Sequence, residues 1–169
     1  MCKKYVCLIS LVLLLGMVGN VSAADRNWTN TNGNRLWSTA ANWSGSVVPT
    51  SADKAAIRNQ AISGPIIDSS TTAVANQIVV GDWSSTNDTI TMTGGTLTTS
   101  GTSCWVILGY GATNKGPFTI SAGTVTFGDN FYVGYSGKGY LQMTGGTITV
   151  GLVFGIAQLT GSIADVNLY

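Results

Sequence analysis

Short segments with alternating apolar and polar residues recur along the second half of the chain and predict β-strands. Three copies share a turn of two small residues and a threonine, Gly94-Gly95-Thr96, Ala122-Gly123-Thr124 and Gly145-Gly146-Thr147. The strand before each turn places one apolar side inward, at Ile90 and Met92, Phe118 and Ile120, and Leu141 and Met143. In the strand after each turn, the expected inward residues are Leu97, Val125 and Ile148.

A third segment in each copy is apolar on both faces and ends at a glycine. The glycines Gly81, Gly109, Gly134 and Gly155 are 28, 25 and 21 residues apart (109 − 81, 134 − 109 and 155 − 134). The alternation predicts inward side chains at Val80, Leu108, Val133 and Phe154, and outward ones at Val79, Ile107, Tyr132 and Val153. A strand that is apolar on both faces is usually buried on both, so the outward face is expected to be covered or to be a sticky surface.

Three strands in each 21–28 residues, joined by Gly, Thr and Ser turns, predict an all-β fold, a parallel β-helix or β-solenoid. About three coils are expected over residues 61–169. An antiparallel sandwich is the alternative, although a sandwich needs no sequence repeat. Val166-Asn167-Leu168-Tyr169 matches the first strand of a coil, so we expect an open C-terminal end, a truncated chain and missing C-terminal repeats as its partner.

Residues 24–60 differ from the repeats because Trp28, Trp37 and Trp43 are concentrated there. Large rings ahead of the first coil predict an N-terminal cap. The alternative is a tryptophan platform that stacks on sugars.

Residues 1–23 have the pattern of a secretory signal peptide, with cleavage before Ala24. A basic start at Lys3 and Lys4 precedes an apolar run over residues 8–18, and small residues follow. The run is short for a membrane span, so an uncleaved anchor is the lesser alternative, and no membrane insertion of the mature chain is expected. The expected location is secreted or at the cell surface.

The chain has no histidine and no glutamate, which argues against an enzyme. Without histidine there is no Ser-His-Asp or Cys-His site and no histidine-ligated metal. We therefore expect no catalytic residues, no cofactor and no metal site. Beyond residue 23, six basic residues face seven aspartates without a basic stripe, so nucleic acid is not an expected partner. The one cysteine in that part, Cys104, is expected to be buried, with an intermolecular bridge as the alternative.

Some polysaccharide lyases share the β-helix, and their calcium sites use clustered acidic ligands. The candidates in the repeats are Asp82, Asp88 and Asp129. They map to different corners of the coil, so they are expected to be solvated turn residues rather than ligands.

Four aromatic residues are the candidates for a glycan-stacking strip: Tyr110, Tyr132, Tyr135 and Trp105. Tyr110 and Tyr135 hold the same repeat position, and stacked coils place them about 5 Å apart. An aromatic ladder that only stabilises the stack is the alternative. Outward rows of threonines, such as Thr96 with Thr98, also resemble those of ice-binding proteins, although threonine is common in strands.

The elements Trp37-Ser38-Thr39-Ala40-Ala41-Asn42-Trp43, Met92-Thr93-Gly94-Gly95-Thr96 and Tyr132-Val133-Gly134-Tyr135 resemble those of bacterial secreted solenoid proteins, the autotransporter passenger-like and PEP-CTERM-type surface proteins. The resemblance implies a right-handed parallel β-helix on or outside the cell, and no particular activity.

The resulting hypothesis is a non-catalytic secreted or cell-surface module with a structural or adhesive role. Its expected partners are a second copy of the chain or an extracellular glycan. A carbohydrate-binding module, or the non-catalytic part of a larger polysaccharide-active enzyme, is the alternative.

Overall fold

The computed structural model describes residues 23–58, 63–82, 88–101 and 103–169. The predicted signal peptide lies outside these residues except for Ala23, so it stays a prediction. Two short 3-10 helices, Ala40–Asn42 and Ser44–Ser46, precede most of the strands. Among the described residues, no helix has the length and apolar character needed to span a membrane.

The described residues contain thirteen strands, and all pairings between them are parallel. The strands are β1 Asp25–Asn27, β2 Lys54–Ile57, β3 Ile66–Ile67, β4 Thr72–Ala75, β5 Gln77–Val80, β6 Ile90–Thr99, β7 Val106–Leu108, β8 Lys115–Phe127, β9 Phe131–Val133, β10 Lys138–Met143, β11 Thr147–Val150, β12 Phe154–Ile156 and β13 Ile163–Leu168.

The strands form two sheets between which the chain alternates once per coil. Strands β1-β2-β5-β7-β9-β12 lie side by side in that order and make what we call the third-strand sheet. The other sheet has the order β13-β10-β8-β6-β3, with β11 beside β8 and β4 beside β6. Parallel neighbours that recur one coil apart define a β-solenoid, so the fold predicted from the repeats is confirmed.

The solenoid has about five turns, not the three predicted. The extra turns come from residues that lack the Gly-Thr repeat. Strand β2 pairs with β5 through Lys54 and Gln77, and β3 pairs with β6 through Ile67 and Met92. Parallel pairing uses backbone groups, so a coil can join the stack without the tripeptide by which the copies were recognised.

The inward positions predicted from the alternation line the core in register. Met92 pairs with Ile120 and Leu97 with Val125, and all four side chains are fully buried. Each such side chain stabilises the fold by about 1.5–3 kcal/mol relative to exposure. The apolar columns therefore hold successive coils together.

The predicted alignment of the last third strand is wrong by two residues. Phe154 pairs with Phe131, whereas the glycine spacing matched it to Val133. The corner that follows falls on Ala157, whose N–H donates to the carbonyl of Val133 at 2.9 Å. Because side chains alternate with a period of two, the shift leaves Phe154 on the inward side.

The three tryptophans of residues 24–60 are buried in the core. Trp28, Trp37 and Trp43 are 2%, 0% and 2% exposed. Trp43 meets both others edge to face, with ring centroids 5.0 Å from Trp28 and 4.7 Å from Trp37. The Nε1–H of Trp43 donates to the carbonyl of Trp37 at 2.8 Å, and that of Trp28 to the carbonyl of Ser63 at 2.9 Å. Rings buried this deeply present no face to a sugar, so the platform alternative fails.

Candidate ligand-binding groove

The outward face of the third-strand sheet carries an apolar row along the solenoid axis. Val79 pairs with Ile107 and Ile107 with Tyr132, one from each of three successive coils. All three are between 6% and 8% exposed. The predicted two-sided burial is therefore confirmed for these coils, and the cover comes from side chains that flank the row in the same chain.

One flank is formed by residues that follow the corner after each third strand. Gly81, Gly109 and Gly134 adopt φ of 76°, 75° and 74°, a left-handed conformation that favours glycine. The next residues, Tyr110 and Tyr135, stack with ring centroids 5.9 Å apart and an interplanar angle of 18°. The equivalent position one coil earlier holds an aspartate, Asp82.

The other flank is formed by residues at the start of each third strand. Trp105 lies beside Gln77, because the N–H of Ile78 donates to the carbonyl of Trp105 at 3.1 Å. The indole ring meets Tyr132 edge to face at 5.9 Å and Tyr135 at 6.4 Å. All four aromatic residues singled out from the sequence are thus in one cluster.

The four aromatic residues differ in exposure and so in the role they can have. Tyr110 is 44% and Trp105 is 36% exposed, and Tyr135 is half-buried. Tyr132 is 8% exposed and its ring lies over Gly155, where a Cβ would be 2.5 Å from the ring. Tyr132 therefore supports the cluster from below, whereas Trp105 and Tyr110 can contact a ligand.

Between the two flanks lies a groove of about 260 Å³. Its lining, which defines the aromatic groove, is Val79 and Ile107 at the floor, Trp105, Tyr110 and Tyr135 at one end, and Lys54, Gln77 and Asp82 at the other. Sequence reasoning missed the floor and the polar end as parts of a site. The signal was present, since Asp82 follows Gly81 as Tyr110 follows Gly109.

The charged groups beside the groove are paired with one another. The Lys54 ammonium lies 2.8 Å from the Asp25 carboxylate, and the Arg58 guanidinium lies 3.1 Å from Asp25 and 3.4 Å from Asp82. Burial raises the pKa of Asp25, but the hydrogen bonds and charges of Lys54 and Arg58 outweigh it and leave that pKa below its usual value. Asp25 is therefore ionised at neutral pH.

Two of the three repeat aspartates, Asp82 and Asp88, are not the solvated turn residues that were predicted, because they are 7% and 1% exposed. Asp129 is half-buried. Asp82 is buried because Arg58 supplies a charge partner at the corner. The described residues hold no group of three or more His, Cys, Asp or Glu side chains placed to ligate a metal ion.

A second hollow of about 370 Å³ lies inside the last coil. Its lining is mostly the inward column of the solenoid, including Leu141, Met143, Ile148, Phe154 and Leu168. Equivalent side chains are buried in earlier coils, so this hollow is a continuation of the core rather than a second ligand site.

The outward threonines of the other sheet are in register. The row has four exposed members, one more than the sequence repeat indicated, and they are Thr72, Thr96, Thr124 and Thr147. The ice-binding interpretation of this row stays a prediction.

Comparisons of this chain with protein-family models, with curated proteins and with solved structures found no match. The function is therefore inferred from the chemistry and geometry of the groove.

Proposed function

We propose that this chain is a non-catalytic, extracellular adhesive module that binds glycan in the aromatic groove of a rigid β-solenoid. The observation that carries the proposal is the pairing of exposed aromatic faces with a hydrogen-bonding end. Trp105 and Tyr110 lie beside an apolar floor at one end of the groove, and Gln77, Asp82 and Lys54 line its other end, in the preceding coils.

A sugar ring is amphipathic in the same way as this groove. Its C–H faces pack on aromatic rings, and its hydroxyls need donors and acceptors at the rim. Small-molecule sites generally combine an apolar lining with a few placed polar groups. The lining of the groove matches that description.

The walls of the groove are ordered before any ligand binds. Tyr110 is stacked on Tyr135, and Tyr135 contacts both Trp105 and Tyr132. Side chains that are already held in place lose little conformational freedom on binding, which favours affinity. A solenoid sheet is a rigid support for such a surface.

A binding role fits the available groups better than glycoside hydrolysis does. That reaction ordinarily uses two carboxyl groups on opposite sides of the scissile bond. Among the described residues lining the groove, Asp82 is the one carboxylate, and it is paired with Arg58 at 3.4 Å. The expected signal peptide over residues 1–23 supports an extracellular setting.

The test is a glycan array probed with residues 24–169 and with the double variant Tyr110→Ala/Tyr135→Ala. We expect the parent chain to bind at least one glycan class and the double variant to lose that binding. Tyr140→Ala is the matched control, because Tyr140 is a half-buried tyrosine on β10 in the other sheet. Equal binding by the parent and a folded double variant would refute the groove as the site.

Self-association is a second candidate function, favoured by the last coil. Its large apolar side chains are exposed, Leu152 at 73%, Ile156 at 53% and Leu168 at 65%. Exposed apolar patches and unpaired strand edges favour contact with another chain.

A further inference from the structure

We infer that the groove selects an electrically neutral sugar unit, bound with its hydroxyl-rich edge toward Gln77 and Asp82 and a C–H face against Tyr110 and Trp105. This inference rests on the proposed glycan-binding function and adds the ligand class, the orientation and the residues that decide specificity. Three features of the groove carry it: its charge balance, its polarity along the solenoid axis, and the burial of Asp82.

The charge balance excludes a strongly charged ligand. Two positive side chains, Lys54 and Arg58, are matched by two negative ones, Asp25 and Asp82, at distances of 2.8–3.4 Å. A uronate would need a cation that is already paired and would be repelled by Asp82. A positively charged amino sugar would need an anion that is already paired and would be repelled by Lys54. A neutral sugar avoids both repulsions.

Asp82 is held in place as a hydrogen-bond acceptor. Its side chain is 10% exposed and is fixed by Arg58, which itself is 22% exposed. Hydrogen bonds to ionised groups are stronger than those between neutral groups, so a sugar hydroxyl that donates to Asp82 gains a favourable contact. A paired carboxylate can accept this bond because each carboxylate has about four lone-pair sites.

Gln77 is fixed on the opposite flank of the groove. Its Nε2–H donates to the carbonyl of Ser103 at 2.8 Å. This bond sets the orientation of the amide, whose carbonyl oxygen is a second acceptor for sugar hydroxyls. Gln77 and Asp82 belong to the same coil, so the acceptors gather at one end of the groove.

The aromatic end belongs to the next coil. On one flank, Trp105 takes the position that Gln77 holds in the preceding coil. On the other flank, Tyr110 takes the position of Asp82. Both flanks therefore change from polar to aromatic between the same two coils. Successive coils are about 4.8 Å apart, close to the width of one sugar ring. A single sugar unit that bridges the step therefore has one polar and one aromatic neighbour along the axis.

The experiment measures affinity for three soluble polymers by affinity electrophoresis and titration calorimetry. A galactomannan is the neutral probe, polygalacturonate the acidic probe and chitosan the basic probe, each at low and high NaCl. We expect the neutral polymer to bind about tenfold tighter than either charged polymer, with less than about a twofold change with salt. Strong, salt-sensitive binding of a charged polymer would overturn the inference.

Two charge variants test the determinants. Asp82→Asn leaves an excess of positive charge, so binding of galactomannan should weaken about tenfold while binding of polygalacturonate increases and becomes salt-sensitive. Lys54→Gln leaves the Arg58–Asp82 pair intact and should instead favour chitosan. Gln77→Ala should weaken galactomannan binding without creating a charge preference. Asp165→Asn, at an exposed aspartate on β13, is the control for a change of net charge alone.

The outcomes separate the inference from the proposed function. If the parent chain binds a charged polymer, and Tyr110→Ala/Tyr135→Ala abolishes that binding, the ligand class is wrong and the groove stands. If folded parent chain binds none of the array glycans or polymers, the proposed function fails and the inference fails with it. Thermal unfolding of each variant identifies loss of fold, and Gln77→Ala and Lys54→Gln keep the test decisive if Asp82→Asn unfolds.

Discussion

Tyr110 and Tyr135 stack almost parallel, with ring centroids 5.9 Å apart and planes inclined by 18°. Each ring follows a corner glycine, and the N–H of Tyr110 donates to the carbonyl of Gly81 at 3.0 Å. The repeated corner places the two tyrosines one coil apart on the same flank. The wall of the aromatic groove is therefore a direct consequence of the coil repeat.

We expect the two rings to stabilise one another. A double-mutant cycle with Tyr110→Leu and Tyr135→Leu should give a coupling free energy of about 0.5–1.5 kcal/mol in denaturant unfolding. The cycle with Tyr110→Leu and Tyr140→Leu is the control and should give a coupling near zero. A coupling no larger than that of the control would contradict the stacked arrangement.

At the corner after each third strand, replacing glycine by alanine and replacing alanine by glycine should change the stability of the fold in opposite directions. Gly109→Ala places a Cβ 2.5 Å from the carbonyl carbon and oxygen of Lys138, at a φ of 75°. We expect it to destabilise the fold by about 2–5 kcal/mol. Ala157 has a φ of 52° at the equivalent corner, so Ala157→Gly should stabilise by about 0.5–1 kcal/mol.

Urea unfolding of both variants and the parent chain measures these two changes. A neutral Gly109→Ala, or an Ala157→Gly that destabilises the chain, would show that the corner geometry is wrong.

Replacing a core tryptophan and replacing a groove tryptophan should have different effects on stability and on glycan binding. Trp43→Ala should lower the free energy of unfolding by about 3–5 kcal/mol, because it opens a cavity beneath two edge-to-face contacts. Trp105→Ala should cost about 1 kcal/mol or less and should abolish glycan binding, since the ring is 36% exposed in the groove. Chemical unfolding and glycan titration of both variants measure the contrast, and equal effects on stability would contradict it.

Acid should destabilise the N-terminal residues of the solenoid through Asp53. This carboxylate is 1% exposed and accepts hydrogen bonds from the Thr50 hydroxyl at 2.6 Å and the Ala24 N–H at 3.2 Å. Burial raises its pKa, but those hydrogen bonds and the charge of Arg26 outweigh burial, so the pKa in the folded chain lies below the ordinary value of 3.8. The stabilisation is complete above pH 3.8 and is lost as the pH falls through the lowered pKa.

The melting temperature measured from pH 7 to pH 2 tests this dependence. We expect Asp53→Asn to be about 1–3 kcal/mol less stable than the parent at pH 7 and to lose less stability on acidification. Asp165→Asn, an exposed control, should reproduce the parent profile. Identical acid profiles for the parent and Asp53→Asn would contradict the assignment.

The exposed side chains of the last coil should drive self-association of residues 24–169. We expect the sedimentation coefficient to rise with concentration over roughly 1–100 μM, and Leu168→Lys to suppress the rise. Val47→Lys is the control, because Val47 is 39% exposed and lies outside the last coil. The prediction fails if the parent remains monomeric, or if the control suppresses association equally.

The alternation of apolar and polar residues was sufficient to predict parallel coils and the inward columns. Met92 and Ile120, for example, are predicted by pattern and found in register in the core. This succeeds because side chains alternate strictly along a strand and the core accepts the apolar side. The glycine repeat also predicted that Tyr110 and Tyr135 would lie near each other.

The sequence pattern failed where backbone pairing, rather than side-chain type, decides the structure. The number of turns was underestimated because β2 and β3 join the sheets without a recognisable repeat. The last coil was misaligned because an alanine, Ala157, holds a left-handed corner that the pattern assigned to glycine.

The chain by itself determined the fold class, the absence of histidine and glutamate, and the repeat position of the aromatic residues. Tertiary structure alone decided that Gln77, Asp82 and Lys54 line the same groove as Trp105 and Tyr110, above a shared apolar floor. Residues of different coils are far apart in the sequence and become neighbours only when parallel strands stack, so no local sequence pattern reveals their contact. Pairing of Asp82 with Arg58 likewise depends on that stacking, because it buries the carboxylate and brings the two charges within 3.4 Å.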